Sequence, residues 1–130
     1  MVELPGLVIL VALVEYMFFA LKVGANRQKY NVVAPAVSGH EEWERYYRVQ
    51  QNTLEQLIVF IPSLWFFAMF VSPLIGAGIG LAFVVGRAIY YTSYIKDPGS
   101  RGAGFGIGFL ANVALVLGAA GGAIYNLAVG

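Results

Sequence analysis

The sequence predicts an all-α integral membrane protein, four transmembrane helices in an up-down bundle that forms one domain over residues 1–130. Three observations carry this prediction. The chain is 59% hydrophobic and 12% charged, with a mean hydropathy of +0.73, far too apolar for a water-soluble domain of its size. Long stretches carry no charge, among them everything between Glu55 and Arg87 and everything after Arg101. All eight Lys and Arg residues fall in or beside the first and third connections, and none lies at the tip of the central hairpin.

The spans follow from the ~20 apolar residues that a ~30 Å hydrocarbon core demands. The first covers residues 4–23, interrupted by Glu15 and Lys22. It is expected to be retained, because Met1-Val2-Glu3 lacks the basic flank of a cleaved signal. The uncharged stretch after Glu55 is too long for one span and breaks at Ser72-Pro73, giving helices over 54–72 and 74–95. Glu55 and Arg87 then lie at membrane depth. The last span covers 104–128.

Of the connections, the first runs from Gly24 to about Glu44 and is too long for a simple turn. Within it, Ser38-Gly39-His40-Glu41 has capping-box spacing and predicts that the second helix starts in water near Glu41. Pro62 removes one hydrogen bond from that helix and predicts a kink. Gly76/Gly80, Gly104/Gly108 and Gly118/Gly122 place small residues one turn apart, which permits close helix packing within or between subunits.

Several chemistries are excluded. A formal net charge of +1 and the lack of a basic run argue against nucleic acid. With no cysteine there is no protein thiol, disulfide or thiolate metal site, and the lone His40 beside Glu41 and Glu42 reads as a solvated residue, so no metal is expected. Gly102 to Gly108 superficially resembles a nucleotide loop, but no strand precedes it.

What remains is a polar constellation near the basic end. Arg48, Asn52 and Glu55 fall at roughly 0°, 40° and −20° around the second helix, a single stripe entering the membrane. On the third helix Arg87, Tyr90, Tyr91 and Tyr94 follow helical spacing as well. Singly, these residues read as a structural Glu55–Arg87 ion pair and an interfacial belt. Together they read as a site for a charged ligand, with Arg27, Arg48 or Arg87 gripping carboxylates and Glu55 accepting an ammonium. Glutathione has both groups and brings the thiol that the protein lacks. A nearby cation stabilises a thiolate, and Arg101 is placed for that role.

At these residues the chain resembles the membrane-associated proteins in eicosanoid and glutathione metabolism. Arg48-Val-Gln-Gln-Asn52-Thr-Leu-Glu55 follows the family's Arg-x-x-x-Asn-x-x-Glu pattern, and Gln51-Asn-Thr-Leu-Glu55 looks most like the microsomal glutathione S-transferase 3 branch. Gly86-Arg87-Ala-Ile-Tyr90-Tyr-Thr-Ser-Tyr94, with Arg101 following, is the second match. The resemblance implies a homotrimer with glutathione sites between subunits. It implies glutathione contacts from Arg48, Asn52, Glu55, Tyr90 and Tyr94, with Arg27 reaching in from the first helix and Gln50 contributing although it points about 160° from Asn52. Arg101 matches the arginine that stabilises the thiolate, and the phenol of Tyr94 is the other candidate. Gln28 and Gln56 depart from the leukotriene-synthesising members, which carry arginine and tyrosine there.

The resulting expectation is a glutathione transferase or peroxidase acting on lipophilic electrophiles and lipid hydroperoxides. Its membrane would be a bacterial inner membrane or a eukaryotic endomembrane, with the site toward the cytoplasm. A non-enzymatic lipid-binding member of the family and a small multidrug transporter using Glu15 are the alternatives. The charge asymmetry predicts that both termini lie outside. Single cysteines introduced by Val2→Cys and Gly130→Cys should label from outside intact cells; labelling only after permeabilisation would invert the topology.

Overall fold

The computed structural model describes residues 1–130 as four long helices: α1 (Glu3–Tyr30), α2 (Glu41–Phe70), α3 (Pro73–Lys96) and α4 (Gly102–Val129). A single 3₁₀ turn, Pro98–Ser100, links α3 to α4. All four helices are long and apolar enough to cross a bilayer, and the chain is an integral multi-pass membrane protein. Its exterior is fitted to lipid: Leu7, Leu10, Val14, Leu21, Ile58, Leu110 and Leu117 all point outward.

At 1.5 Å per residue, the 28 residues of α1 and the 30 of α2 span about 42 and 45 Å, well beyond the hydrocarbon core. The surplus lies at the end that carries the basic residues. There α1 continues seven residues past Val23 to Tyr30, so the first connection is Asn31–His40 and shorter than the sequence implied. Lipid solubility ends near Lys22, but backbone hydrogen bonding does not. Asn31 terminates the helix in the left-handed region, φ 58°, where its N–H still reaches the carbonyls of Arg27 and Gln28.

The cap of α2 also differs from expectation. Ser38 is not the N-cap; His40 is, with extended backbone and Nδ1 accepting from Glu42 N–H at 3.2 Å. The reciprocal carboxylate is Glu44, which accepts from Gly39 N–H at 3.2 Å. Gly39 has φ +135°, a turn no side chain adopts easily, and it moves the cap two residues along the chain. At the other break Ser72 accepts from Ile75 N–H at 3.1 Å, and Pro73 opens α3 where its missing donor costs nothing. α2 runs as one continuous helix through Pro62.

In the bundle α2 and α3 each pack against all three other helices, whereas α1 and α4 make no substantial contact with each other. The core lies along α2 and α3, where Phe60 and Phe83 stack with centroids 4.0 Å apart, enclosed by Leu64, Leu57, Leu115 and Val8. At the basic end, Trp43 Nε1 donates to Val23 O at 3.0 Å and ties α2 to α1. Arg45 Nη1 donates to the carbonyls of Ile95 and Lys96, both at 3.1 Å, and ties α2 to the last turn of α3.

The glycine pairs are used inside the chain. A Cβ on Gly86 would lie 2.9 Å from Gly108 N, and one on Gly104 would lie 2.6 Å from Tyr90 Cα, so α3 and α4 meet backbone to backbone. Gly76 and Gly80 receive Phe67 and Leu64, and Gly122 receives Val71 and Phe70. Gly104→Ala should therefore destabilise the protein by about 1–3 kcal/mol, the usual cost of overpacking. Gly106→Ala, whose Cβ meets nothing within 4 Å, should be neutral or slightly stabilising through helix propensity. Equal melting midpoints for the two variants in detergent would mean that α3 and α4 are not in backbone contact.

Candidate functional site: a polar cleft at the basic end of the bundle

On α2 the residues Glu44, Tyr47, Arg48, Gln51, Asn52 and Glu55 recur at i, i+3, i+4, i+7, i+8 and i+11, so one face of three turns is polar. That face forms one wall of a cleft of about 590 Å³. The opposite wall is Tyr90 and Tyr94 of α3, stacked with centroids 5.4 Å apart. Val37 and Ser38 of the first connection close one side, and Arg101 stands at the rim, at the start of α4. The volume suits a small-molecule ligand.

The electrostatics of the cleft are open. Arg48 and Glu55 are both exposed, and no ion pair within the chain engages either one. They lie seven residues apart on one helix face, so a cation and an anion sit about 10 Å from each other along the axis. Arg101 Nη1 donates to Pro98 O at 2.7 Å and has no carboxylate partner. Three ionic groups thus line one cleft with no ion-pair partner in the chain.

Among the residues expected from sequence, Arg48, Asn52, Glu55, Tyr90, Tyr94 and Arg101 come together in this cleft. Arg27, Gln50 and Arg87 do not line it. Arg27 is held by the first connection, its Nη1 donating to Ala36 O at 2.8 Å and its guanidinium lying 4.6 Å from the Trp43 ring, so within one chain it does not reach in. Gln50 faces α1, where its Nε2 meets the Tyr16 hydroxyl at 3.4 Å. Arg87 is fully buried behind the cleft wall and donates to Asn52 Oδ1 at 2.7 Å and Thr53 Oγ1 at 3.1 Å.

The structural ion pair between Glu55 and Arg87 does not form. Glu55 faces the cleft, whereas Arg87 turns its Nη2 to the polar atoms of Asn52 and Thr53. Sequence reasoning missed Glu44, Tyr47 and Gln51. The signal was present, since Gln51 lies within the stripe from Arg48 to Glu55, and the same helical period extended one turn toward the N-terminus takes in Glu44 and Tyr47.

A second, apolar groove lies between α2 and α4, lined by Gln56, Val59, Phe109, Asn112 and Val113 among others, with a volume of about 280 Å³. Gln56 accepts from Asn112 Nδ2 at 3.1 Å and directly follows Glu55, so adjacent residues of α2 line the polar cleft and the apolar groove.

Comparison with known proteins bears on this arrangement. A family model described as the MAPEG family matches residues 5–121. An uncharacterized protein of Synechocystis is 42% identical over 115 residues, covering 88% of this chain and 84% of the other. Microsomal glutathione S-transferase 2 of Homo sapiens is 38% identical over 109 residues, covering 82% and 74%. Leukotriene C4 synthase of Mus musculus is 31% identical over 100 residues, covering 77% and 67%. The named transferase here is of type 2, whereas the string Gln51–Glu55 had suggested type 3. Four helices able to span a membrane, and a match over nearly the whole length, place this chain in the MAPEG family.

Proposed function

We propose that the protein is a membrane-bound glutathione transferase, with glutathione-dependent peroxidase activity, and that the polar cleft holds glutathione. The observation that carries this reading is the convergence of Arg48, Asn52, Glu55, Tyr90, Tyr94 and Arg101 on one cleft, with the charges of Arg48 and Glu55 unpaired. Glutathione has carboxylates for Arg48 and an ammonium for Glu55. The roughly 10 Å between those side chains is close to the reach of an extended tripeptide at ~3.3–3.6 Å per residue. The family relatives named as a glutathione S-transferase and as leukotriene C4 synthase support the same class of reaction.

Arg101 is the thiol-activating residue in this reading. A free thiol has a pKa near 8.5, so only a few per cent is thiolate at pH 7, and a cation within reach lowers that pKa by about 1–3 units. The thiolate then forms a carbon–sulfur bond with an electrophilic carbon, and the leaving group departs with the electron pair. With a hydroperoxide it attacks the terminal oxygen and breaks the O–O bond to release the alcohol. A second glutathione converts the resulting sulfenic acid to the disulfide and water. The lipophilic partner would reach the sulfur from the membrane along the apolar groove that begins at Gln56.

A homotrimer accounts for Arg27 and Gln50, which face away from the cleft of their own chain and would be supplied to a neighbour's. The cleft would open toward the cytoplasm, since it shares its end of the bundle with all the basic residues. Glu15, the residue behind the transporter alternative, lines none of the cavities; its Oε1 is buried within the chain instead.

The purified protein should turn over glutathione with a chlorinated nitrobenzene and with a lipid hydroperoxide. Glutathione binding without turnover on these or on leukotriene A4 would favour a non-enzymatic family member. Binding and activation should also separate by residue. Glu55→Gln and Arg48→Ala should each weaken glutathione binding by about 10- to 100-fold, the value of a hydrogen bond to a charged group. Arg101→Ala should bind glutathione but show a raised thiolate pKa when thiolate absorbance is followed against pH. An unchanged pKa in that variant, with a raised one in Tyr94→Phe, would transfer the role to the Tyr94 phenol.

A further inference from the structure

Glu15 has no part in the reading above, yet a carboxylate at membrane depth costs a few kcal/mol and does not persist without compensation. The structure places it on α1 with Oε1 buried and without a hydrogen-bond partner. Arg87 of α3 is in the same condition. Its side chain has no exposed surface, and its Nε and Nη1 are buried and unpartnered. Helices α1 and α3 pack directly against each other, and the two residues feel each other's charge across that contact without closing to an ion pair within 4.0 Å. Of the five buried unpartnered side-chain atoms in the chain, three belong to this one pair.

The third nitrogen of Arg87 does all the bonding. Nη2 donates to Asn52 Oδ1 at 2.7 Å and to Thr53 Oγ1 at 3.1 Å. Thr53 can accept because its own hydroxyl proton is given to Val49 O at 2.7 Å. The guanidinium also lies 4.2 Å from the ring of Tyr90, over its face. Asn52 and Tyr90 both line the cleft, and Arg87 does not.

A guanidinium only donates, so the Asn52 oxygen must face Arg87, and the NH₂ group is what Asn52 presents to the cleft. Without Arg87 the amide is free to flip and offer an acceptor instead. Tyr90 is held against the same group, and its ring would lose the plane on which it rests.

We propose that Arg87 is a positioning residue for the cleft and Glu15 its counter-ion inside the membrane. Together they fix a donor, Asn52, and an aromatic wall, Tyr90, for the acceptor groups of glutathione. This rests on the glutathione reading, and Arg87, expected from sequence to touch the ligand, acts instead through two residues that do.

The test is a double-variant cycle on the full chain in lipid nanodiscs, with thermal midpoint and glutathione affinity both measured. Glu15→Gln and Arg87→Met should each lower the midpoint, because each leaves one charge buried alone. The double variant should return close to the parent midpoint, since replacing a whole buried pair by neutral groups is tolerated. Glutathione affinity should not return with it, and should stay about 10- to 100-fold weaker than the parent's. Arg87→Lys keeps the charge beside Glu15 but not the planar fork, so it should keep the midpoint and still bind glutathione weakly.

Additive losses of midpoint in the double variant would overturn the counter-ion role of Glu15. Parent-like glutathione affinity in the double variant or in Arg87→Lys would overturn the positioning role of Arg87. A parent protein that itself fails to bind glutathione would overturn the glutathione reading, and the positioning role with it, before any variant is made.

Discussion

Nothing larger than hydrogen fits at Gly104, where α4 meets the backbone of α3 at Tyr90, and the geometry of the cleft hangs on that contact. In lipid no hydrophobic force pulls one apolar helix onto another, so close backbone approach and the dispersion it permits must hold the pair. Because Gly86, Gly104 and Gly108 all lie at this crossing, the spacing of α3 and α4 is set within one turn of the site. Tyr90 and Tyr94 stand on one side of the crossing and Arg101 just before the other. Moving α4 outward by the width of a methyl group would move Arg101 relative to the two phenols.

A second constraint acts across the bundle. α2 packs against all three other helices, and it is tied at its water-exposed end to α1 through Trp43 and to α3 through Arg45. The tie to α3 uses carbonyls of its last turn, groups that otherwise seek water, whereas the tie to α1 uses a carbonyl inside the helix, at Val23. The polar face from Glu44 to Glu55 is thus held at both edges before it enters the membrane.

Much of this was legible in the sequence because it rests on periodicity and on charge. The helical stripe Arg48-Asn52-Glu55, the tyrosines of α3 and the clustering of basic residues are all linear signals with a three-dimensional meaning. What escaped depends on contacts that no spacing reports. Arg27 is turned aside by the carbonyl of Ala36, a residue whose position follows from the path of the first connection. His40 replaces Ser38 as cap because Gly39 takes a positive φ, which glycine permits without demanding. Arg87 carries the right charge to pair with Glu55, and only packing shows that its fork is turned toward Asn52 and Thr53.

The continuity of α2 from the polar cleft to the apolar groove at Gln56 has a kinetic meaning. One helix faces two solvents, and if glutathione occupies the cleft, each reactant arrives from a different one. The aqueous reactant obeys its bulk concentration. The lipophilic one is present at the concentration it reaches in the bilayer, so its apparent saturation tracks mole fraction in lipid rather than moles per litre of suspension. Added lipid that contains no protein would then dilute one reactant and leave the other untouched. An enzyme so placed takes its selectivity for lipophilic compounds in part from the partition coefficient, and the groove needs only to admit what the membrane has already gathered.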